Sequence, residues 1–195
     1  MSAQDSSVEH FSLGDFELLS GETIPNAQIA YRTYGDPSKP AIVYPTYYSG
    51  TITDNEGFIA LPGKERKFRA LDPSRFFIVV PALFGNGQST SPSNHPLGFD
   101  LPRATFYDNV RAQHKLVFEH LGVKGKVVVI GFSMGAGQTF QWASQYPGQV
   151  RAAVPFCGSA RTATHNWVFL ESVKAALQLD PKWKGGKYDP KDPPI

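Results

Sequence analysis

The sequence predicts an α/β domain, a mostly parallel sheet with helices on both faces. Three observations predict it. Two runs, Arg75–Pro81 and Lys126–Ile130, are apolar without alternation, the pattern of strands covered on both sides. Between Arg103 and Leu121, Phe106, Val110, Val117 and Leu121 recur at helical spacing. From Ala41 onward the order is strand, loop, strand, helix, strand, helix, strand, helix, which joins parallel strands through right-handed crossovers. With 195 residues, 41% of them hydrophobic and 18% charged, the chain can bury one core and is too short for two comfortable domains.

Element by element, Phe16–Leu19 is a short strand-like run. Ala27–Tyr34 alternates with period two until Gly35-Asp36-Pro37 turns the chain, and these early strands form an antiparallel edge. Ala41–Tyr44 is a compact strand that stops at Pro45. The helix over Arg103–Leu121 is followed by Gly122, a C-cap residue. Gly135–Tyr146 is helical and closes at Pro147-Gly148, Arg151–Phe156 is a strand, and Thr162–Leu179 is a helix. From Asp180 the last 16 residues hold four Lys, four Pro and three Asp, with little that can pack. Residues 1–179 therefore read as the amino-terminal part of the α/β domain and 180–195 as a tail or the start of a further segment.

Composition excludes several classes of function. The 19 basic and 17 acidic residues leave a formal charge of +2 with no basic run, so nucleic acid is not an expected partner. Met1 to Ser7 are polar, without the apolar stretch of a secretory signal, and no run is long enough to span a membrane. Cys157 is the only cysteine, which excludes an intramolecular disulfide, and no His/Asp/Glu group has metal-ligand spacing. A cytoplasmic protein without a bound cofactor is expected.

The sharpest feature is Val127-Val128-Val129-Ile130-Gly131-Phe132-Ser133-Met134-Gly135, a Gly-x-Ser-x-Gly placed between a buried strand and a helix. A nucleophile elbow needs this strand–turn–helix context, with small residues two before and two after the serine. The alternative is a glycine-rich turn in which Ser133 is an ordinary N-cap. An elbow makes Ser133 the catalytic nucleophile and aims the Met134 N–H at the same space. A second oxyanion donor is expected from the loop after Ala41–Pro45, which reads Thr46-Tyr47-Tyr48-Ser49-Gly50-Thr51 and is otherwise a surface turn. Phe84-Gly85-Asn86-Gly87-Gln88-Ser89 lacks the third glycine of a dinucleotide site, since position 90 is Thr90, and reads as a tight turn beside the active-site mouth.

A serine nucleophile needs a histidine and an acid after it in this chain order. His165 is the only later histidine, with no acid between, so it is not the expected base, and none of Glu171, Asp180, Asp189 and Asp192 carries a triad-acid signature. His114 and His120 read as surface or helix-end residues, and Cys157 as a buried structural thiol.

These residues resemble the amino-terminal half of the homoserine O-acetyltransferase family of the α/β-hydrolase fold. The likeness is carried by Ile29–Gly35, Phe106–Gln113, Gly131–Gln138, Trp142–Pro147 and Ala176–Gly186. It implies an α/β-hydrolase fold truncated before its lid and last strands. It also implies acyl transfer through an acyl-Ser133 intermediate, with oxyanion donors at the Met134 and Tyr48 N–H groups. Acetyl-CoA or another acyl-CoA is the implied co-substrate and a small-molecule hydroxyl the acceptor. The position where the family presents an arginine to the acceptor carboxylate is Lys174, a weaker bidentate partner. Ester hydrolysis by the same acyl-enzyme, or a catalytically silent subunit, are the alternatives. In the family the acid and histidine lie after a helical lid, past Ile195, so the chain is expected to be either one product of a cleaved precursor, held against a carboxyl-terminal partner chain that supplies them, or a truncated form. The resemblance also admits a homodimer.

Overall fold

The computed structural model describes residues 7–61, 70–189 and 191–194. The opening residues 1–6, read above for a leader, lie outside them. The chain divides into two compact units, Met1–Ser159 and Ala160–Ile195.

The first unit is built on a six-stranded sheet. Its strands are β1 (Glu9–Glu17), β2 (Thr23–Tyr34), β3 (Ala41–Val43), β4 (Phe77–Pro81), β5 (Val127–Phe132) and β6 (Val150–Phe156). They lie in the order β1-β2-β4-β3-β5-β6. β1 and β2 form an antiparallel hairpin, and β2 runs antiparallel to β4; β3 is parallel to both β4 and β5, and β5 to β6. The expected antiparallel edge on a parallel sheet is thus present.

β1 starts at Glu9, well before the run at Phe16 that marks it in the sequence. Phe11 and Leu13 pack toward the same core cluster as Phe16, two phases of a period-two pattern separated by a register shift around Gly14. That irregularity hides the strand from a search for alternation.

The apolar runs behave as two-sided strands. Phe77 and Val79 of β4 join one core cluster while Ile78 and Val80 join the other, and Ala41/Val43 and Ile42/Tyr44 divide in the same way. α2 (Phe106–His114) and α3 (Met134–Gln145) cover the first face with Val110, Ala112 and Trp142; the short α1 (Ile52–Asn55) covers part of the second with Ile52. β6 is the outermost strand, and Arg151, Ala152, Ala153 and Val154 on it are exposed.

α2 starts at Phe106, three residues later than its periodicity suggests, because Thr105 and Asp108 form a capping box. It continues as a π-helical turn over Lys115–His120, and Gly122 follows at φ 65° as the expected C-cap. His114 is the helix-end residue of α2 and half-buried: it stacks on Tyr146 at 4.1 Å and meets Gln149 Oε1 at 2.7 Å. His120 remains exposed, with Nε2 3.0 Å from the Tyr31 hydroxyl.

The second unit holds α4 (Thr164–Leu179), all exposed or half-buried, followed by a 3-10 turn over Pro181–Gly186. The turn is capped by Asp180, whose carboxylate accepts the Lys182 N–H at 2.8 Å. Composition alone suggests only a loop there. No described helix is long and apolar enough to cross a membrane.

Candidate active site

In an open α/β sheet the chemistry gathers beyond the carboxyl ends of the strands, where the strand order reverses. Here that point lies at β3 and β5, because the chain passes from β3 outward to β4 and returns to β5 on the other side. The loop carrying Tyr48 leaves β3, and Ser133 leaves β5.

Ser133 has φ 53° and ψ −116°, a left-handed conformation that a serine rarely adopts, and its side chain makes no capping hydrogen bond to α3. The ordinary N-cap alternative is therefore excluded. The turn is held by backbone: the Ser133 N–H donates to the Phe156 carbonyl at 3.0 Å, and the Ser133 carbonyl accepts the Ala136 N–H at 3.0 Å. A Cβ on Gly131 would lie 2.0 Å from the Gly135 carbonyl oxygen, and one on Gly135 would lie 3.0 Å from the Pro45 carbonyl oxygen. The second approach seats the first turn of α3 directly against the loop after β3. Gly158, which sequence reasoning passed over, closes the other side: its Cβ would sit 2.5 Å from the Ser133 carbonyl oxygen.

That loop is fastened by side-chain amides. Asn55 Nδ2 donates to the Tyr44 and Pro45 carbonyls at 3.0 and 3.2 Å, Gln138 Nε2 to the Thr46 carbonyl at 2.8 Å, and Asn86 Nδ2 to the Gly50 carbonyl at 3.3 Å. Gln88 Oε1 accepts the Ile52 N–H at 2.8 Å. The Gly85–Gln88 turn thus braces the loop. Ser49 sits at φ 55°, and the Tyr48 ring points to solvent, 67% exposed. Among the described residues neither the Met134 N–H, at the start of α3, nor the Tyr48 N–H donates to a protein acceptor. Ser133 Oγ likewise has no side-chain partner among them.

Four rings line this end of the sheet. Phe132 meets Tyr47 edge-on at 5.2 Å, Phe156 at 5.5 Å and Phe58 at 6.0 Å, and Phe58 is 47% exposed. Phe132 stood out in the sequence only as an elbow flank. Phe58 and Phe156 carried no local signal, since each reaches the cluster by strand pairing or loop closure.

Sequence reasoning places Cys157 in the interior, but it is exposed, with φ 53°, because it follows the outermost strand. Lys174 lies on α4 in the second unit, its Nζ 2.6 Å from Glu171. Asp180 caps the 3-10 turn and Asp189 accepts the Lys191 N–H at 2.9 Å, so these acids serve local structure. His165 is exposed on α4. No group of three metal-ligating side chains occurs among the described residues.

Comparison with known proteins places this geometry. The chain is 36% identical over 187 residues to the ethyl acetate hydrolase of Pseudomonas veronii, covering 92% of this chain and 52% of that protein. It is 34% identical to the homoserine O-acetyltransferase of Zymomonas mobilis subsp. mobilis, covering 95% of this chain and 54% of the relative. The structure of the acetyl esterase MekB superposes with a TM-score of 0.85 at 36% identity, over 94% of this chain and 53% of that one. The chain thus spans about half the length of the curated relatives it matches. The model of the alpha/beta hydrolase fold matches residues 60–193, more than half of the chain, and the chain belongs to that family.

Proposed function

We propose that Ser133 is the nucleophile of an acetyl-ester hydrolase that works through an acetyl-Ser133 intermediate. The single observation that carries this reading is the backbone of Ser133, at φ 53° and ψ −116° between β5 and α3, with a hydroxyl not used as a cap. Strain of this kind, of order 1–3 kcal/mol, persists where the surrounding structure enforces it.

Ser133 Oγ adds to the ester carbonyl carbon while its proton passes to an imidazole base. The tetrahedral oxyanion accepts the N–H groups of Met134 and Tyr48, and collapse expels the alcohol and leaves acetyl-Ser133. Water then takes the acetyl group. The resemblance to the homoserine O-acetyltransferase family supports a base and an orienting acid that come later than Ile195. A carboxyl-terminal partner or continuation therefore supplies them in this proposal. Phe132, Phe156 and Phe58 provide an apolar wall on this end of the sheet, compatible with a small acyl group.

Transfer of the acetyl group from acetyl-CoA to a substrate hydroxyl is the second reading, favoured by the 34% identity to a homoserine O-acetyltransferase. By the resemblance, Lys174 holds the sequence position from which the family recognises an acceptor carboxylate. The ion pair of Lys174 with Glu171 and the absence of a bidentate guanidinium weigh against homoserine as that acceptor.

The test is labelling with a fluorophosphonate probe and turnover of p-nitrophenyl acetate by the intact active protein. Ser133→Ala should abolish labelling and lower turnover on the order of a millionfold, as loss of a triad nucleophile does. Equal labelling of both proteins would overturn the assignment. Thiol release from acetyl-CoA that depends on added alcohol selects the second reading.

A further inference from the structure

Behind the loop of Tyr48 runs a buried chain of hydrogen bonds that the reaction as drawn leaves unused. Trp142 Nε1–H donates to Gln113 Oε1 at 2.8 Å, Gln113 Nε2 to Gln138 Oε1 at 2.6 Å, and Gln138 Nε2 to the Thr46 carbonyl at 2.8 Å. Trp142, Gln113, Gln138 and Thr46 are all fully buried. The two ends have fixed polarity, since an indole N–H can only donate and a carbonyl can only accept. Both amides between them are therefore held in one orientation. A flipped Gln138 would set its oxygen against the Thr46 carbonyl at a fully buried position, where that repulsion is costly.

The chain joins the two places from which the oxyanion donors come. Gln138 is four residues after Met134 on α3, on the helix that Ser133 opens. Thr46 is two residues before Tyr48. The other amides on this loop, Asn55 and Asn86, come from α1 and from the turn after β4. Among the described residues Gln138 is the side chain of α3 that bonds the loop. From this we propose that Gln138 is a positioning residue, which sets the Tyr48 N–H relative to Ser133 and Met134 by holding the Thr46 carbonyl, with Gln113 and Trp142 fixing the sense of its amide. The proposal rests on the serine-nucleophile reading above.

If the chain served the core alone, its loss would lower stability and leave the chemistry of the folded protein unchanged. Positioning predicts otherwise. Gln138→Met keeps the length and removes the donor, and it should lower kcat about ten- to hundredfold in the folded protein, since misplacing an oxyanion donor acts on the transition state. KM for p-nitrophenyl acetate should stay within about twofold, and affinity for a trifluoromethyl ketone should fall in parallel with kcat/KM. Gln113→Met, which frees the Gln138 amide to flip without touching the loop, should give a smaller fall of the same kind, and Trp142→Phe the smallest.

Gln138→Glu supplies a readout that survives even if the methionine variant fails to fold. The buried carboxyl, its pKa raised by desolvation, can donate to the Thr46 carbonyl while protonated and repels it once ionised. Its kcat should follow that of the parent at low pH and then acquire a descending limb, absent from the parent, as pH rises. A parental kcat in Gln138→Met, or a Gln138→Glu profile that runs parallel to the parent across the pH range, overturns the positioning role. Ser133→Ala is run alongside: turnover that survives there overturns the nucleophile itself, whereas its loss there together with a parental kcat in Gln138→Met overturns only the inference about Gln138.

Discussion

Ser133 keeps a left-handed backbone because its neighbours leave it no other path. With the Gly131 and Gly135 backbones in contact below it and the Phe156 carbonyl holding its N–H, the turn is over-determined. Two outcomes follow at the residue scale. Glycine accepts φ 53° without penalty, so Ser133→Gly should be more stable than Ser133→Ala by about 1 kcal/mol in urea unfolding, the relief of strain exceeding the greater entropy of the unfolded glycine. Both are inactive in the proposed mechanism, so the stability difference between them reports the backbone alone. Gly131→Ala should cost about 3 kcal/mol or more, because its Cβ would lie 2.0 Å from a backbone oxygen that cannot turn away. A Gly131→Ala protein with parental stability and full activity would show that the elbow is looser than these contacts require. Much of this residue-level arrangement was legible beforehand: Gly131, Ser133 and Gly135 announce the turn by their spacing together with the buried strand before them and the helix after them. Gly158 did not, since it meets Ser133 across β5 and β6 rather than along the chain.

At the scale of elements, α2 owes its position to one carboxylate. Asp108 is fully buried; its Oδ2 accepts the Thr105 N–H at 2.9 Å and the Thr105 hydroxyl at 2.6 Å, and its Oδ1 accepts the Leu19 N–H at 2.7 Å. The helix cap and the β1–β2 turn thus share one side chain. Asp108→Ala should destabilise the protein by about 3 kcal/mol, a lost cap plus buried donors left unpaired, and Asp108→Asn by roughly half of that because one oxygen still accepts. Denaturant midpoints check both, and equal stabilities would show that water replaces the carboxylate. The Thr105-x-x-Asp108 pair was visible in the sequence, yet apolar periodicity alone drew the helix back to Arg103, because periodicity locates a face and the cap locates an end. The π turn at Lys115–His120 has no such local mark. It accompanies burial of both Leu116 and Val117, a tertiary demand that spacing cannot express.

For the molecule as a whole, the strand alternation and the two-sided runs in β4 and β5 were enough to give the parallel sheet and the antiparallel edge. What the sequence withheld is long-range: the Gln138–Thr46 bond spans 92 residues, and Phe84 N–H to Asn109 Oδ1 spans 25. Such pairs depend on which strands become neighbours, and no local pattern encodes that. The same assembly puts tyrosines where ionisation is costly, and this gives a global pH dependence. Burial, together with the hydrogen bond to Glu9 and its charge, pushes the Tyr31 hydroxyl up to about 12. Burial also raises Tyr34, whose hydroxyl donates to Glu56, and Tyr44, whose buried hydroxyl has no hydrogen-bond partner among the described residues. In the unfolded chain these groups ionise near pH 10. Between that pH and the folded values the native state holds more protons than the unfolded state, so stability falls as pH rises. Below about pH 10 their contribution is fully present. Each tyrosine still protonated in the fold and ionised in the unfolded chain steepens the loss, toward a limit of about 1.4 kcal/mol per pH unit. Unfolding free energy measured from pH 8 to 12 should therefore be level at first and then drop. Tyr31→Phe removes one titrating group and its bond to Glu9, so that protein should start less stable and lose stability less steeply above pH 10. A curve level to pH 12, or a slope unchanged in Tyr31→Phe, would show that the hydroxyl ionises as readily in the fold as in water.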